Sequence, residues 1–333
     1  MSEVRSGVTR VAIFSGTLLI SGLFAYLALR NTDFAETWRA LRTLDYRWLA
    51  LATLTFVLSI PVRAIRWRVL FESDRRPPLG ATTNAMLLGL FFNSILPARA
   101  GEAVRVVALK HYAAVSLAES TATVLVERVF DVLALLLLLF VTAAWLPHVS
   151  WLQSAAVLGT VLLIVLSGAV AAIVIFGERP IRLLLSPITK LPAFRDTDVD
   201  KLAGSLNRGL SPLRSPGHGL LAFGWTVAGW LMIGLSSWFL MLGFDLHLSF
   251  FAGLLATVAV GLAFIIPAAP AALGVFEAAA IATTRAYGVP QSQGLAYAVV
   301  LHALNFFPYI LGGLVLLWTL PRSTSMKRAR DAV

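Results

Sequence analysis

The sequence has 333 residues and no cysteine, and 58% of its residues are hydrophobic against 13% that are charged. A soluble domain carries about 25% charged residues, so a mean hydropathy of +0.82 excludes an ordinary soluble protein and indicates a polytopic membrane protein. The lack of cysteine excludes disulfides, thiolate metal sites and a thiol nucleophile. The net charge of +10 does not indicate nucleic-acid binding, because the basic residues mostly flank apolar segments.

The apolar segments predict about six full transmembrane helices. In chain order they cover residues 11–29, 48–62, 117–146, 151–176, 219–242 and 294–320. Between the first two, residues 30–47 alternate charged with aromatic and leucine side chains, which predicts an amphipathic helix at the membrane interface. The linker 177–218 and the tail are basic, whereas the turns 147–150 and 243–249 have no Lys or Arg, so both termini are predicted to be cytoplasmic. This orientation places the four arginines of 30–47 outside, in conflict with the same rule.

Two further apolar pieces, 81–96 and 250–266, end at prolines and are shorter than the roughly 20 residues that a span requires. Helices broken at membrane depth predict re-entrant hairpins, at about 79–112 and about 250–289. Each break reads Gly-Leu-x-Phe, then a proline, a glycine and a glutamate. Because the predicted topology makes the two hairpins enter from opposite sides, they form an inverted repeat with a site near the midplane.

The predicted fold class is therefore an all-α integral membrane protein with a single membrane domain over residues 1–333. Its first half is 1–176 and its second half is 219–333, joined by a cytoplasmic amphipathic linker over 177–218.

Three charged residues, Arg99, Glu102 and Arg105, surround the first break at Pro97 and Gly101. Charges in lipid-embedded sequence are costly, so they are buried in protein or face a water-filled cavity. The second half of a broken helix has free backbone N–H groups that favour an anion, and the arginines add donors to phosphate oxygens. These features predict a site for a charged lipid head group. A buried Arg99–Glu102 ion pair that fixes the hairpin is the structural alternative, and the two are compatible.

The third predicted span carries a second charged group. Glu127 and Asp131 lie on one helix face, and Arg128 can pair with Asp131. Two acids against one arginine leave a negative charge, unless another arginine reaches in or an acid is protonated. Two interpretations stay open: proton coupling by Glu127 or Asp131, and an interhelical network with Arg99 or Arg105.

Arg63 and Arg66 follow the second predicted span and share a helix face. They indicate either a positive cytoplasmic collar or a face that attracts lipid phosphate at the cytoplasmic mouth. No metal-ligand spacing, phosphate-binding loop or nucleophile motif is present, so no cofactor, no metal and no enzymatic activity are expected.

The second half supplies fewer polar candidates. Glu277 and Arg285 share a face of the helix after the second break but are too far apart to touch. His302 lies three residues before Asn305 in the last span, so His302 is either a proton acceptor or part of an interhelical hydrogen bond.

Three motifs resemble one known family. The run 93–102, NSILPARAGE, is similar to its Asn-x-x-Leu-Pro-x-Arg-x-Gly-Glu signature. Residues 127–131 match its Glu-Arg-x-x-Asp segment, and 273–277 resemble its Gly-Leu-Gly-x-x-Glu segment. The chain thus resembles a flippase-like membrane family related to the transmembrane domain of bacterial lysylphosphatidylglycerol synthase/flippase. Ala271 and Ala272 depart from the family pattern, which often has glycines there.

The resemblance implies a lipid-translocating domain in a bacterial or archaeal cytoplasmic membrane. The expected substrate is an anionic, aminoacylated, polyprenyl-linked or glycolipid-type lipid. A homodimer and a lipid-synthesis enzyme are left open as partners. The expected head-group contacts are Asn93, Arg99, Gly101, Glu102, Arg105, Arg128 and Gly274. The expected charge network or proton-coupling residues are Glu127, Asp131, Glu277, Arg285 and His302.

The soluble aminoacyl-transferase domain of the synthase is not in this sequence, so the chain is not expected to make lysylphosphatidylglycerol. The rival functions are a membrane enzyme that transfers a head group, an accessory scaffold of a lipid or envelope pathway, and a small-solute transporter.

Overall fold

The computed structural model of the protein describes residues 16–17, 19–30, 32–96, 99–143, 145, 159–168, 172, 175–185, 204, 215–264 and 269–319. All regular structure within these ranges is helical, which confirms the all-α class. The helices are α1 Leu19–Leu29, α2 Phe34–Arg42, α3 Tyr46–Val69, α4 Leu79–Ile95, α5 Gly101–Ala113, α6 Leu117–Ala143, α7 Gly159–Gly168, α8 Glu178–Leu185, α9 Pro216–Gly243, α10 Phe250–Ala263, α11 Val275–Ala286 and α12 Gln291–Thr319. A short 3₁₀ turn, Pro270–Ala272, precedes α11.

Among the described residues, three helices are long and apolar enough to cross a membrane, namely α3, α9 and α12. Helix α6 has 27 residues but carries Glu127, Arg128 and Asp131 in its middle. Helices α1, α4, α7 and α10 are apolar but shorter. The count of six full spans therefore remains a prediction. Much of the predicted fourth span, most of the linker 177–218, the C-terminal tail, and Pro97 and Pro267 at the two breaks lie outside the described residues.

Helix α3 differs from its sequence prediction. The prediction ended the span near residue 62, at Pro61, but the helix continues through Pro61 to Val69. A proline inside a helix removes one hydrogen bond, and neighbouring helices can satisfy the freed group in a membrane protein. As a result, Arg63 and Arg66 lie within a packed helix and not in a tail that follows it.

Helix α2 forms where the amphipathic segment was predicted. The side chain of Asp33 caps its N-terminus by accepting from the backbone N–H groups of Ala35 and Glu36. Phe34 and Trp38 remain exposed, as expected of a helix with an unpartnered aromatic face. Its position at the membrane surface remains a prediction.

Two pairs of short helices form where the hairpins were predicted, α4 with α5 and α10 with α11. The first pair is antiparallel and tightly packed, since Gly89 approaches both Gly101 and Arg105. A Cβ atom added at Gly89 would lie 2.7 Å from Cβ of Arg105 and 3.0 Å from the carbonyl oxygen of Gly101. The close approach therefore requires glycine at these positions. Re-entry of each hairpin into the membrane from one side remains a prediction. The relation of the two hairpins by an inverted repeat also remains a prediction.

Helices from the two halves of the chain pack against one another. Helix α12 packs against α4 of the first hairpin as well as α11 of the second, and α10 packs against α6. Helices α3 and α9 share the most extensive interface, where Ser236 Oγ donates to the Ala52 carbonyl oxygen at 2.8 Å. Small residues and hydroxyl groups are the usual means by which membrane helices approach closely. This arrangement places the broken ends of both hairpins around one interior space.

We predict that Gly101→Ala destabilises the protein, because the new methyl group would overlap the Gly89 carbonyl oxygen and lie 2.6 Å from the backbone nitrogen of Asn93. Overpacking against backbone costs roughly 1–3 kcal/mol of unfolding free energy. Thermal unfolding in detergent, followed by tryptophan fluorescence, measures the change.

Gly80→Ala is the matched control, since nothing lies within 4 Å of its Cβ position in the same hairpin. It should leave the melting temperature unchanged or raise it, because alanine favours a helix more than glycine does. Equal melting temperatures for the two variants would contradict the close packing.

Candidate functional site

A network of charged side chains joins α3, α5 and α6 in the interior. It contains three arginines and three acids. Its members are Arg66, Arg105, Arg128, Glu102, Glu127 and Asp131. Formal charges therefore cancel within the network, as burial in a low-dielectric interior requires.

Glu127 is the centre of this network, with an exposed fraction of 0%. Its Oε1 atom lies 2.5 Å from Arg66 Nη2, 3.1 Å from Arg105 Nη1 and 3.3 Å from Arg128 Nη2. Arg105 Nη1 also donates to Oε2 at 3.2 Å. One buried carboxylate is thus shared by guanidinium groups from three helices.

Asp131 and Glu102 complete the charge balance. Asp131 accepts from Arg66 Nη1 at 2.5 Å and from the Trp230 indole N–H at 3.0 Å, and it pairs with Arg128 at 3.2 Å. Glu102 pairs with Arg105 Nε at 2.7 Å and with Arg128 Nη2 at 2.9 Å. The interhelical-network interpretation of the third-span acids therefore agrees with the geometry, with Arg105 and Arg66 as the arginines that reach in.

The collar interpretation of Arg66 is wrong, because only 2% of this side chain is exposed. Periodicity placed it on a face with Arg63 but could not show that α6 covers that face. Arg105 is similarly enclosed: its guanidinium lies 4.8 Å from the ring centroid of the buried Trp67, whose indole N–H donates to Thr123 Oγ1 at 3.0 Å.

A cavity of about 760 Å³ lies beside the network. Its polar wall contains six of the predicted site residues. They are Arg63, Asn93, Arg99, Glu102, Arg128 and Asp131. The remaining wall is mainly apolar and aromatic, and includes Trp230, Phe264 and Tyr309. Arg66, Arg105 and Glu127 stand behind the polar wall and do not line the cavity.

Arg99 connects the two broken regions. It has a left-handed backbone (φ 55°), and its Nη2 atom donates to the Phe264 carbonyl oxygen at 2.6 Å. Phe264 caps the C-terminus of α10, and its ring centroid lies 5.9 Å from the Arg99 guanidinium carbon. The alternative Arg99–Glu102 ion pair does not form, because Glu102 pairs with Arg105 and Arg128.

Arg63 reaches the cavity from α3. Its Nη1 atom donates to the Tyr309 hydroxyl at 2.7 Å. Within the part of the chain that the structure describes, neither Arg63 nor Arg99 forms an ion pair with a carboxylate. These two cations thus differ from the three arginines of the network.

A second polar pair lies in the other half of the molecule. His302 Nδ1 is 2.5 Å from Glu277 Oε1, while Glu277 Oε2 accepts from the backbone N–H of Gly274 at 2.7 Å. Asn305 donates to the Leu301 carbonyl oxygen of its own helix at 2.8 Å. Glu277 and His302 do not line the cavity, although the rings of Phe276 and Phe306 that flank His302 do.

Three further sequence candidates also lie away from the cavity wall. Gly274 has φ 83° and packs against the backbone of α1 at Ser21 and Ala25, so its glycine is required by a close approach. Arg285 is at the surface, 3.4 Å from Gln291 Oε1. Gly101 serves the packing of α4 against α5. No group of His, Asp and Glu side chains in the described ranges is arranged to hold a metal ion.

The sequence reasoning missed the aromatic residues that hold the charged wall. Trp230 donates to Asp131 and Tyr309 accepts from Arg63. A signal was present for both. Trp230 lies in the middle of α9 and not near its end, where membrane tryptophans usually lie, and Tyr309 directly follows the intrahelical Pro308.

The sequence profile described as the lysylphosphatidylglycerol synthase TM region matches residues 13–313. The chain belongs to this family. Family members are membrane proteins of bacteria and archaea, in agreement with helices here that are able to cross a membrane.

Two curated relatives are archaeal. The protein named glycosyltransferase AglD of Haloferax volcanii is 30% identical over 93% of this chain, and the match spans 55% of that relative's length. The UPF0104 membrane protein MJ1078 of Methanocaldococcus jannaschii is 26% identical over 70% of this chain and 96% of its own length. The family membership and these relatives indicate a membrane protein related to lipid or glycolipid handling.

We predict that Glu127→Gln strongly destabilises the protein. The substitution removes the negative charge that compensates the buried Arg66 and Arg105. Breaking a buried ion pair lowers the free energy of unfolding by roughly 3–5 kcal/mol. Thermal unfolding in detergent is the measurement. Asp74→Asn, at an exposed acid in the turn before α4, is the control and should change little.

A double-mutant cycle tests whether Glu127 and Arg105 act as a pair. The variant Glu127→Gln/Arg105→Gln restores the charge balance, so it should be less destabilised than the sum of the two single variants. Additive losses would show that the two side chains do not interact and would contradict the network.

Proposed function

We propose that this protein translocates a membrane lipid across the cytoplasmic membrane, as a transporter and not as an enzyme. The head group occupies the cavity and the acyl chains remain in the bilayer. The lipid is of anionic, aminoacylated, polyprenyl-linked or glycolipid type. The observation that carries this proposal is a cavity with a charged wall, built from helices that are otherwise apolar.

The physical argument concerns the cost of moving a head group through hydrocarbon. A charged or polar group in the bilayer core loses its hydration and is strongly disfavoured there. The cavity replaces water with guanidinium, carboxylate and amide groups, namely Arg63, Arg99, Glu102 and Asn93. Its volume of about 760 Å³ lies in the range of small-molecule sites, roughly 300–1,000 Å³, which is enough for a head group.

The two broken hairpins supply the moving parts of the proposal. In this mechanism they are re-entrant and related by an inverted repeat, and both chain termini are cytoplasmic. The contact between Arg99 and the Phe264 carbonyl ties one broken end to the other at 2.6 Å. Exchange of this contact for a lipid phosphate would loosen the two hairpins from each other and open the cavity.

Proton coupling through Glu127 or Asp131 is a hypothesis within this mechanism, and insensitivity of transport to an imposed pH gradient would exclude it.

A second candidate is an accessory role in a lipid or envelope pathway. The relative named as a glycosyltransferase favours it, since this chain corresponds to 55% of that protein. In that role the membrane domain would hold a lipid-linked substrate for an enzyme and would not move it across the bilayer.

An assay in liposomes that contain a lipid with a fluorophore on its acyl chain distinguishes lipid translocation from the accessory role. The purified protein should increase the fraction of label that an external reductant destroys, for at least one of several lipid classes. Asn305→Trp fills the cavity from α12 and should slow this exchange several-fold, while Phe307→Trp, on an exposed face of α12, should not.

No acceleration for any lipid class, in a protein whose thermal unfolding is normal, would overturn translocation and favour the accessory role. Counterflow of a soluble substrate without lipid exchange would instead indicate a small-solute transporter.

A further inference from the structure

The charges around the cavity do not cancel. The five arginines in or beside its wall are Arg63, Arg66, Arg99, Arg105 and Arg128. The three acids are Glu102, Glu127 and Asp131. Five positive and three negative charges leave a net charge of +2 among these described residues.

This positive charge belongs to Arg63 and Arg99. The other three arginines form the closed network with the three acids. Arg63 and Arg99 line the cavity, and their hydrogen-bond acceptors are neutral, the Tyr309 hydroxyl and the Phe264 carbonyl. A neutral acceptor holds a guanidinium less strongly than a carboxylate does, so both groups can turn to an incoming anion.

The acids on the cavity wall are already engaged. Glu102 and Asp131 both face the cavity, but Arg128 pairs with both, Arg105 also pairs with Glu102, and Arg66 with Asp131. An ammonium group that entered the cavity would therefore find no free carboxylate among the described residues. It would also be repelled by the positive charge of Arg63 and Arg99. This repulsion is stronger where water does not screen it.

From this charge balance we infer that the cavity selects lipids with a net-negative, phosphate-bearing head group and excludes aminoacylated head groups. Guanidinium groups bind phosphate oxygens with parallel hydrogen bonds. A phosphatidylglycerol head group carries one negative charge, whereas the lysyl ester of the same lipid adds two ammonium groups and becomes net positive. This selectivity rests on the proposed function and narrows its substrate class.

The test compares phosphatidylglycerol with lysylphosphatidylglycerol, both labelled on the acyl chain so that their head groups are unmodified. Proteoliposomes of otherwise equal composition should translocate phosphatidylglycerol faster by on the order of tenfold, which corresponds to about 1.4 kcal/mol. Binding is measured separately, as the shift in melting temperature that a short-chain form of each lipid produces in detergent.

Charge variants of the two arginines identify the cause. Arg63→Gln and Arg99→Gln should each slow phosphatidylglycerol and reduce the preference, and the double variant should abolish it. Arg63→Lys and Arg99→Lys keep the charge and should retain a preference in the same direction. Arg75→Gln removes the same charge from an exposed turn and should have no effect on either lipid.

The possible outcomes test the selectivity and the proposed translocation separately. Equal or faster translocation of the lysyl lipid would overturn the selectivity while supporting translocation. Failure to move either lipid, or any other class, would overturn the proposed function. In that case the melting-temperature shifts still decide the inference, which is wrong if the lysyl lipid stabilises the protein as much as phosphatidylglycerol does.

Discussion

The ion pairs of the buried Glu127 carboxylate hold three helices of this protein together. This carboxylate lies within ion-pair distance of Arg66, Arg105 and Arg128 at once, and so connects α3, α5 and α6. A guanidinium group without a partner would be costly among apolar helices. The network therefore fixes α5, the second arm of the first hairpin, against two long helices. The position of the break before α5, and of the cavity beside it, follows from this attachment.

The network is electrically neutral, and this distinguishes its six side chains from two further arginines at the cavity wall. Three arginines are matched by three acids, and no charge of these six is left over. Arg63 and Arg99 have only neutral acceptors among the described residues, and both line the cavity. The charge left over at the cavity wall is thus positive. Electrostatics of this kind gives a site specificity through what it repels as well as what it attracts.

The two pairs of short helices contribute different side chains to the cavity wall. The first supplies Arg99, Glu102 and Asn93 to the cavity wall, while the second supplies a backbone carbonyl, small residues and the aromatic ring of Phe264. Its own polar pair, Glu277 with His302, secures the start of α11 and lies behind aromatic rings. The Arg99–Phe264 contact is where the two meet. The first pair thus brings charged side chains to the cavity, whereas the polar side chains of the second pair serve its own packing.

The amino-acid pattern was enough to predict the all-α membrane class, the breaks between the short helices, the helix α2 and the charged residues that line the cavity. These features follow from hydropathy, from proline and glycine, and from charges that are costly in lipid, all of which are local. Tertiary structure alone decided which charges pair. Arg66 and Asp131 are 65 residues apart and Arg99 and Phe264 are 165 apart, and periodicity describes one helix face without showing what covers it. For that reason the sequence suggested a surface position for Arg66 and gave Trp230 and Tyr309 no special role. The packing of α6, α9 and α12 brings all three residues into contact with the charged side chains.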